Sequence, residues 1–400
     1  MGAFLLAALL GAAPGASGQD AGRHGHGGGH AKSADLATSA AFDQDGRLWV
    51  VTKQLANGDG FVVVQSSGDL GKTWSEPRRV QQAPEPVAAN GEARPHIAFG
   101  PKGEIYITYT KPVAPPHIGD IRFVRSLDGG KTFSPPVTVH ANRDVIVHSF
   151  ESTLVDRAGR IYVAWIDGRD AVAAKAKQQG YKGSAVYYAV SGDGGASFRG
   201  DYKVADHSCE CCRIGLALNA AGRPVAMWRH VFAPNVRDHA LAELGENGDA
   251  KPVQRATFDD WRIDACPHHG PSLAFADDGT RHQVWFNGKE DGGGAMYARA
   301  NAAGVLGKPV VLGSAQASHP DVAVSGKLVA VAWKQFDGSA TAILARVSSD
   351  GGATWREQEL GRTAGESDQP RLVASPTSVV LVWRTQNEGI RVIPVGREGA

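Results

Sequence analysis

One eight-residue turn constrains this 400-residue chain more than any other feature. It reads Ser67-Gly68-Asp69-Leu70-Gly71-Lys72-Thr73-Trp74, then Ser126-Leu127-Asp128-Gly129-Gly130-Lys131-Thr132-Phe133. It returns as Ser191-Gly192-Asp193-Gly194-Gly195-Ala196-Ser197-Phe198 and as Ser348-Ser349-Asp350-Gly351-Gly352-Ala353-Thr354-Trp355. An aspartate can accept backbone N–H bonds across a tight turn, and glycine takes dihedrals closed to other residues. The closing aromatic supplies a large apolar plug. Four copies of such a turn require a strand–turn unit that repeats.

The flanking residues carry that repeat from residue 37 onward. A short strand ends at a turn holding Gly46, Gly103, Gly159, Gly222, Gly279 or Gly326, with Thr377 in the last copy. A second strand follows and closes on Trp165, Trp228, Trp285, Trp333 or Trp383; Tyr109 and Thr52 take that place in the first two copies. Segments such as Ile105–Tyr109 and Val379–Trp383 are rich in β-branched and aromatic residues, and no stretch sustains a 3.6-residue apolar period. Units of this kind predict an all-β chain, a β-propeller of four-stranded antiparallel blades. Strand counting favours seven blades, with six as the alternative. No fourth strand is visible in the last unit, and the residues just before Leu36 are placed to supply one.

The four turns resemble the Asp-box (BNR) repeats of sialidase-like β-propellers, and with the weaker copies the resemblance covers residues 37–400. It implies that the Asp-box carboxylates are structural. It also implies, for a true exo-alpha-sialidase, three arginines gripping a substrate carboxylate, a Tyr–Glu nucleophile pair and an aspartate acid/base. Arg94, Arg213 and Arg371 stand where strands begin, and Glu151 and Asp321 could supply carboxylates. Arginine suits the first task because its planar fork matches a carboxylate bidentately. The departures are that Arg94-Pro95-His96 only loosely matches the family's Arg-Ile-Pro, and that no tyrosine follows Tyr297.

Alternating strand direction puts all Asp-box turns on one face and the segments leading into each first strand on the other. Those segments gather Arg94, His148, Glu151, Arg213, His319, Asp321 and Arg371. We take Arg94, Glu151, Arg213, His319, Asp321 and Arg371 as candidate ligand-binding residues. Two neighbouring segments stand apart. His207-Ser208-Cys209-Glu210-Cys211-Cys212-Arg213 and Asp264-Ala265-Cys266-Pro267-His268-His269 hold all 4 cysteines of the chain. Equivalent points of adjoining blades lie close in space, so Cys209, Cys211, Cys212, Cys266, His268 and His269 form a candidate metal site. Its soft ligands suit copper or zinc. Disulfide pairing is the other reading, with three connectivities open to four cysteines and an adjacent Cys211–Cys212 bond strained.

The N-terminal run Phe4–Leu10, followed by small residues to Gly18, reads as a signal peptide over 1–18. Residues 19–36 follow as a flexible His/Gly-rich segment with His24, His26 and His30, and residues 37–400 as a single propeller. No later segment is long and apolar enough to span a bilayer. Charge is balanced, 42 Lys+Arg against 41 Asp+Glu, which excludes the basic surplus that nucleic-acid binding needs. The expectation is therefore an exported protein, periplasmic or extracellular, that is sialidase-like in fold and non-hydrolytic. It binds a transition metal or metal-bearing ligand through the Cys/His cluster. A sialidase-type glycoside hydrolase, or a scaffold for a glycan or cell-envelope protein with paired cysteines, are the alternatives. Oligomeric state is open.

Overall fold

In most units the second strand is buried along much of its length because both of its faces are covered. Ile161–Asp167 is buried at every residue, as is Pro224–Arg229. Strands with neighbours on both faces read as continuous apolar runs rather than alternating ones. The computed structural model, which describes residues 35–396 apart from Asn57 and Pro116, shows what covers them. Seven antiparallel sheets follow one another in chain order, each a simple meander. The first strand of each sheet packs against the first strands of its neighbours, so these seven strands ring a central channel. They are Ser39–Phe42, His96–Phe99, His148–Val155, Gly215–Leu218, Ser272–Phe275, Ala317–Ser325 and Arg371–Ala374, in blades 1 to 7. The chain is a seven-bladed β-propeller. One helix, Arg169–Ala176, interrupts the all-β pattern in blade 3. The signal-peptide segment and the His/Gly-rich segment up to residue 34 lie outside the described residues.

Trp165, Trp228, Trp285, Trp333 and Trp383 are all buried, each near the end of a second strand, as the repeat predicts. Opposite each lies a residue of the first-strand segment, and the registers align these segments across the ring. Arg94-Pro95-His96, Gly270-Pro271-Ser272, His319-Pro320-Asp321 and Gln369-Pro370-Arg371 occupy equivalent places, with Phe150-Glu151-Ser152 and Arg213-Ile214-Gly215 beside them. In blades 3 and 6 the register shifts, which is a β-bulge, and Phe150 and His319 there have positive φ. Bulges re-aim side chains near sites. Here they turn the first strands of blades 3 and 6 toward the channel mouth.

The four aspartate–glycine turns share one hydrogen-bond scheme. In the third, Ser191 Oγ donates to Asp193 at 2.8 Å and accepts from Gly195 N at 2.8 Å, while Ser197 N donates to Asp193 at 3.0 Å. The aspartate thus replaces backbone partners that the turn denies. The closing aromatic then seats on the third strand of the preceding blade. Phe198 meets Phe123 edge-on at 4.9 Å, and Trp355 meets Tyr297 at 5.1 Å. Trp74 packs with Ile390 and Val392, which joins blade 1 to blade 7. The second glycine of each turn has positive φ, and at Gly195 a Cβ would collide with the edge of Phe123. Gly195→Ala is therefore expected to cost about 2 kcal/mol or more in chemical denaturation. Gly192→Ala, three residues away in open space, should change stability by less than ~0.5 kcal/mol. Equal effects would refute the close-approach argument.

Blade 7 has three strands, Arg371–Ala374, Val379–Thr385 and Gly389–Val395. The expected closing strand upstream of Leu36 falls almost wholly outside the described residues, and among the described residues none pairs beyond Gly389–Val395. Packing supplies the closure instead. Leu48 and Val50 of blade 1 pack with Val373, Val380 and Val382 of blade 7, and Thr38 N donates to Asp368 at 2.9 Å.

Candidate functional site

The bulged and proline-started segments converge on one mouth, and the charges there mostly neutralise one another. Arg94, 1 % exposed, donates to both oxygens of Asp368 at 3.0 and 3.1 Å and to the carbonyls of Thr38 and Gly91. Arg213 donates to Glu92 at 2.6 Å, to Gln369 at 2.9 Å and to the Pro320 carbonyl at 3.2 Å. Glu92 also accepts from Gly270 N at 2.7 Å, from Arg213 N at 2.9 Å and from Gln369 at 2.9 Å. Burial works to raise the Glu92 carboxyl, but the Arg213 guanidinium beside it wins and holds it well below the ordinary range. Two of the three arginines are therefore committed to internal carboxylates. Arg371 is the looser one, 3.7 Å from Asp321, whose carboxylate also accepts from Leu372 N at 2.8 Å.

Arg371 thus keeps Asp321, whereas Glu92, Asp368 and Gln369 bind Arg94 and Arg213, and Glu151 binds none of the three. Glu151 is buried, accepts a short bond from the Thr110 hydroxyl through one oxygen, and leaves the other without a partner. Burial pushes its carboxyl up to about 8, so it is a neutral acid at neutral pH. Burial likewise pushes His96 down to about 3, with Arg371 and Arg94 adding to the effect. His319 stands 3.5 Å from Glu92, and burial lowers it too.

The cysteines form the second feature. The Sγ atoms of Cys209, Cys211 and Cys266 lie within 4.8 Å of one another, two of the residues buried and Cys266 exposed. Cys209 and Cys211 are 3.8 Å apart, and none of the 4 cysteines is bonded to another. A disulfide needs about 2.05 Å. A metal with ~2.3 Å bonds to sulfur spreads its ligands roughly 3.8–4.0 Å apart, which the Cys209–Cys211 pair matches, with Cys266 within 4.8 Å of both. Cys212 stays 3.4 Å from Cys209 but falls outside the mutual set. Hydrogen bonds from Cys211 and Cys212 hold Cys209 well below the usual thiol range, whereas burial pushes Cys212 up.

The two histidines expected here leave the thiols. His269 stacks on Phe286 at 4.1 Å and lies 4.1 Å from the His319 ring, in the channel. His268 faces His117 with ring centres 6.0 Å apart. A positive φ at His268 sends the two adjacent side chains to different surroundings.

Arg237 takes the place at the thiols. Its Nη1 is 3.4 Å from Cys209 Sγ and 3.5 Å from Glu210, and its Nε donates to the Ile263 carbonyl at 3.0 Å. Arg229 fixes the same loops by donating to the carbonyls of Arg237, His269 and Phe286. Beside the thiols a cavity of about 440 Å³ opens between blades 2 and 3, lined by Thr110, Val113, His117, Ser149 and Phe150 among others. Arg237 carries no motif in the sequence. Gln369 could have been found, since Gln369-Pro370-Arg371 matches Arg94-Pro95-His96.

No protein-family model matches the chain, and no curated protein does. Solved structures do. An ulvan lyase of polysaccharide lyase family PL25 is 14% identical with a TM-score of 0.58, over 92% of this chain and 94% of that one. The Penicillium chrysogenum alpha-L-arabinanase complexed with arabinobiose is 15% identical with a TM-score of 0.51, over 74% and 88%. The NanB sialidase of Streptococcus pneumoniae matches at 10% identity and a TM-score of 0.49, over 77% and 67%. The first two likenesses show the propeller fold.

Proposed function

We propose that this chain is an exported propeller that binds a transition metal ion, copper or zinc, or a ligand bearing one, through thiolates at its channel mouth. The observation that carries the reading is the convergence of Cys209, Cys211 and Cys266 from two neighbouring blades at metal-ligand spacing. Thiolate is the soft donor that both ions accept. Cys209, held as the most acidic thiol, would ionise first and nucleate the site.

A sialidase-type hydrolase finds less support. Its carboxylate grip needs arginines with free forks, and Arg94 and Arg213 spend theirs on Asp368, Glu92 and Gln369. Glu151 is a buried acid in the mouth with an oxygen to spare, and held neutral it offers a donor rather than a charge.

The test is metal analysis with thiol counting on the full chain, purified anaerobically from the exported fraction. The expected result is about one metal ion per chain, as for one thiolate site. Cys209→Ser and Cys266→Ser should each weaken binding by more than the roughly 100-fold that loss of an outer hydrogen-bond partner costs. Two disulfides and no bound metal would overturn the proposal.

A further inference from the structure

Arg237 is a fixed positive charge in contact with the thiols. Its side chain is 7 % exposed, against 37 % for Glu210, the carboxylate that shares it. It cannot swing out to water, because Nε is bonded to Ile263 O and its own backbone N donates to Trp261 O at 2.7 Å. The same bonds tie the hairpin bearing Arg237 to the loop bearing Cys266, and Nη1 reaches Cys209 from there. Arg229 lies nearby, and the three neutral carbonyls it donates to leave its charge in place, so it adds to the positive field at Cys209.

Resting on the metal-thiolate reading above, we infer that Arg237 makes this a site for a soft monovalent cation of the copper(I) or silver(I) class in preference to a divalent one. The repulsion between a fixed guanidinium and a bound ion scales with the ion's charge, so it is twice as large for a divalent ion. An ion seated ~2.3 Å from Cys209 Sγ lies roughly 5–6 Å from the guanidinium, where the second charge is worth roughly 100-fold in affinity at an effective dielectric of ~20 and about 10-fold at ~40. Glu210 opposes this, with an oxygen 3.7 Å from Cys266 Sγ, but water screens it more than it screens Arg237. Ligand number points the same way. Three sulfurs form the mutual set, whereas structural zinc takes four ligands, and neither His268 nor His269 joins the thiols.

The experiment is a pair of competition titrations on the full chain under anaerobic, reducing conditions. Copper(I) is buffered by a bathocuproine chelator and zinc(II) by a chromophoric chelator. The wild type should favour copper(I) over zinc(II) relative to the chelators' own preference. Arg237→Gln should narrow the ratio of the two dissociation constants by about 10- to 100-fold. Arg237→Lys loses the same fork geometry but keeps the charge, so it should hold the ratio. Glu210→Gln, on a solvent-facing side chain, should widen it. An unchanged ratio in Arg237→Gln, or an equal shift in Arg237→Lys, would overturn the inference while the metal site stands. Absence of either metal from the wild type would sink the site itself, and the inference with it.

Discussion

Glu92→Ala is expected to destabilise the propeller by about 3–5 kcal/mol, the range for removing one partner of a buried ion pair. The side chain of Glu92 is 4 % exposed and so is that of Arg213. Once the carboxylate is gone, the Arg213 guanidinium keeps only Gln369 Oε1 and the Pro320 carbonyl, and Gly270 N and Gln369 Nε2 lose their acceptor. The cost comes from the charge left behind rather than from the pair itself. Replacing both partners, as Glu92→Leu with Arg213→Met, should therefore recover most of the loss, with a coupling well above ~0.5 kcal/mol in a double-mutant cycle. The pH dependence has a definite sign. Because the folded carboxyl lies below its ordinary value of 4.5, its contribution is complete above that pH and is lost as pH falls through the lowered folded value. Denaturation of the single variant within about 1 kcal/mol of wild type would show that the network is not held by this residue.

That network illustrates what the sequence exposes and what it hides. The ring of blades is legible because each unit repeats the same physical solution: a glycine-and-aspartate turn, an apolar second strand, an aromatic at its end. Arg94, Arg213 and Arg371 are legible because they sit at equivalent points of that repeat, and the structure brings them to one mouth. Their partners are not, because Glu92 and Asp368 lie just outside the repeated positions, and pairing across 274 residues, as between Arg94 and Asp368, leaves no local pattern. The cysteines follow the same division. Adjoining blades bring Cys209 and Cys266 together, as their register in the repeat requires. Which way His268 and His269 then point depends on one backbone dihedral, and no spacing rule contains it. Arg237 sits in a hairpin of blade 4 whose length varies from blade to blade, so the repeat says nothing about it.

The second large effect belongs to Glu151. Its carboxyl titrates near 4.5 when free and at about 8 in the fold, because burial disfavours the anion more than Thr110 can offset. Between those values the unfolded chain has lost the proton and the folded chain keeps it. Stability therefore falls as pH rises, by about 1.4 kcal/mol per unit from this group, to a total of roughly 5 kcal/mol. Histidines obscure the lower half of that window. His96, whose folded value is depressed, contributes a loss of stability as pH drops below its ordinary 6.5, which is the opposite slope. Above 6.5 such histidines are neutral in both states, and Cys209, held below the usual thiol range, gives a slope of the opposite sign that wild type and a Glu151 variant share. Glu151→Gln keeps an acceptor for the Thr110 hydroxyl and a polar group where the second oxygen points, without the proton. Denaturation curves from pH 6.5 to 8 should diverge, the wild type losing stability relative to the glutamine variant by about 1.4 kcal/mol per pH unit. Parallel curves would mean that Glu151 is already ionised in the fold, and the mouth would then present a buried negative charge beside Thr110 instead of a neutral donor.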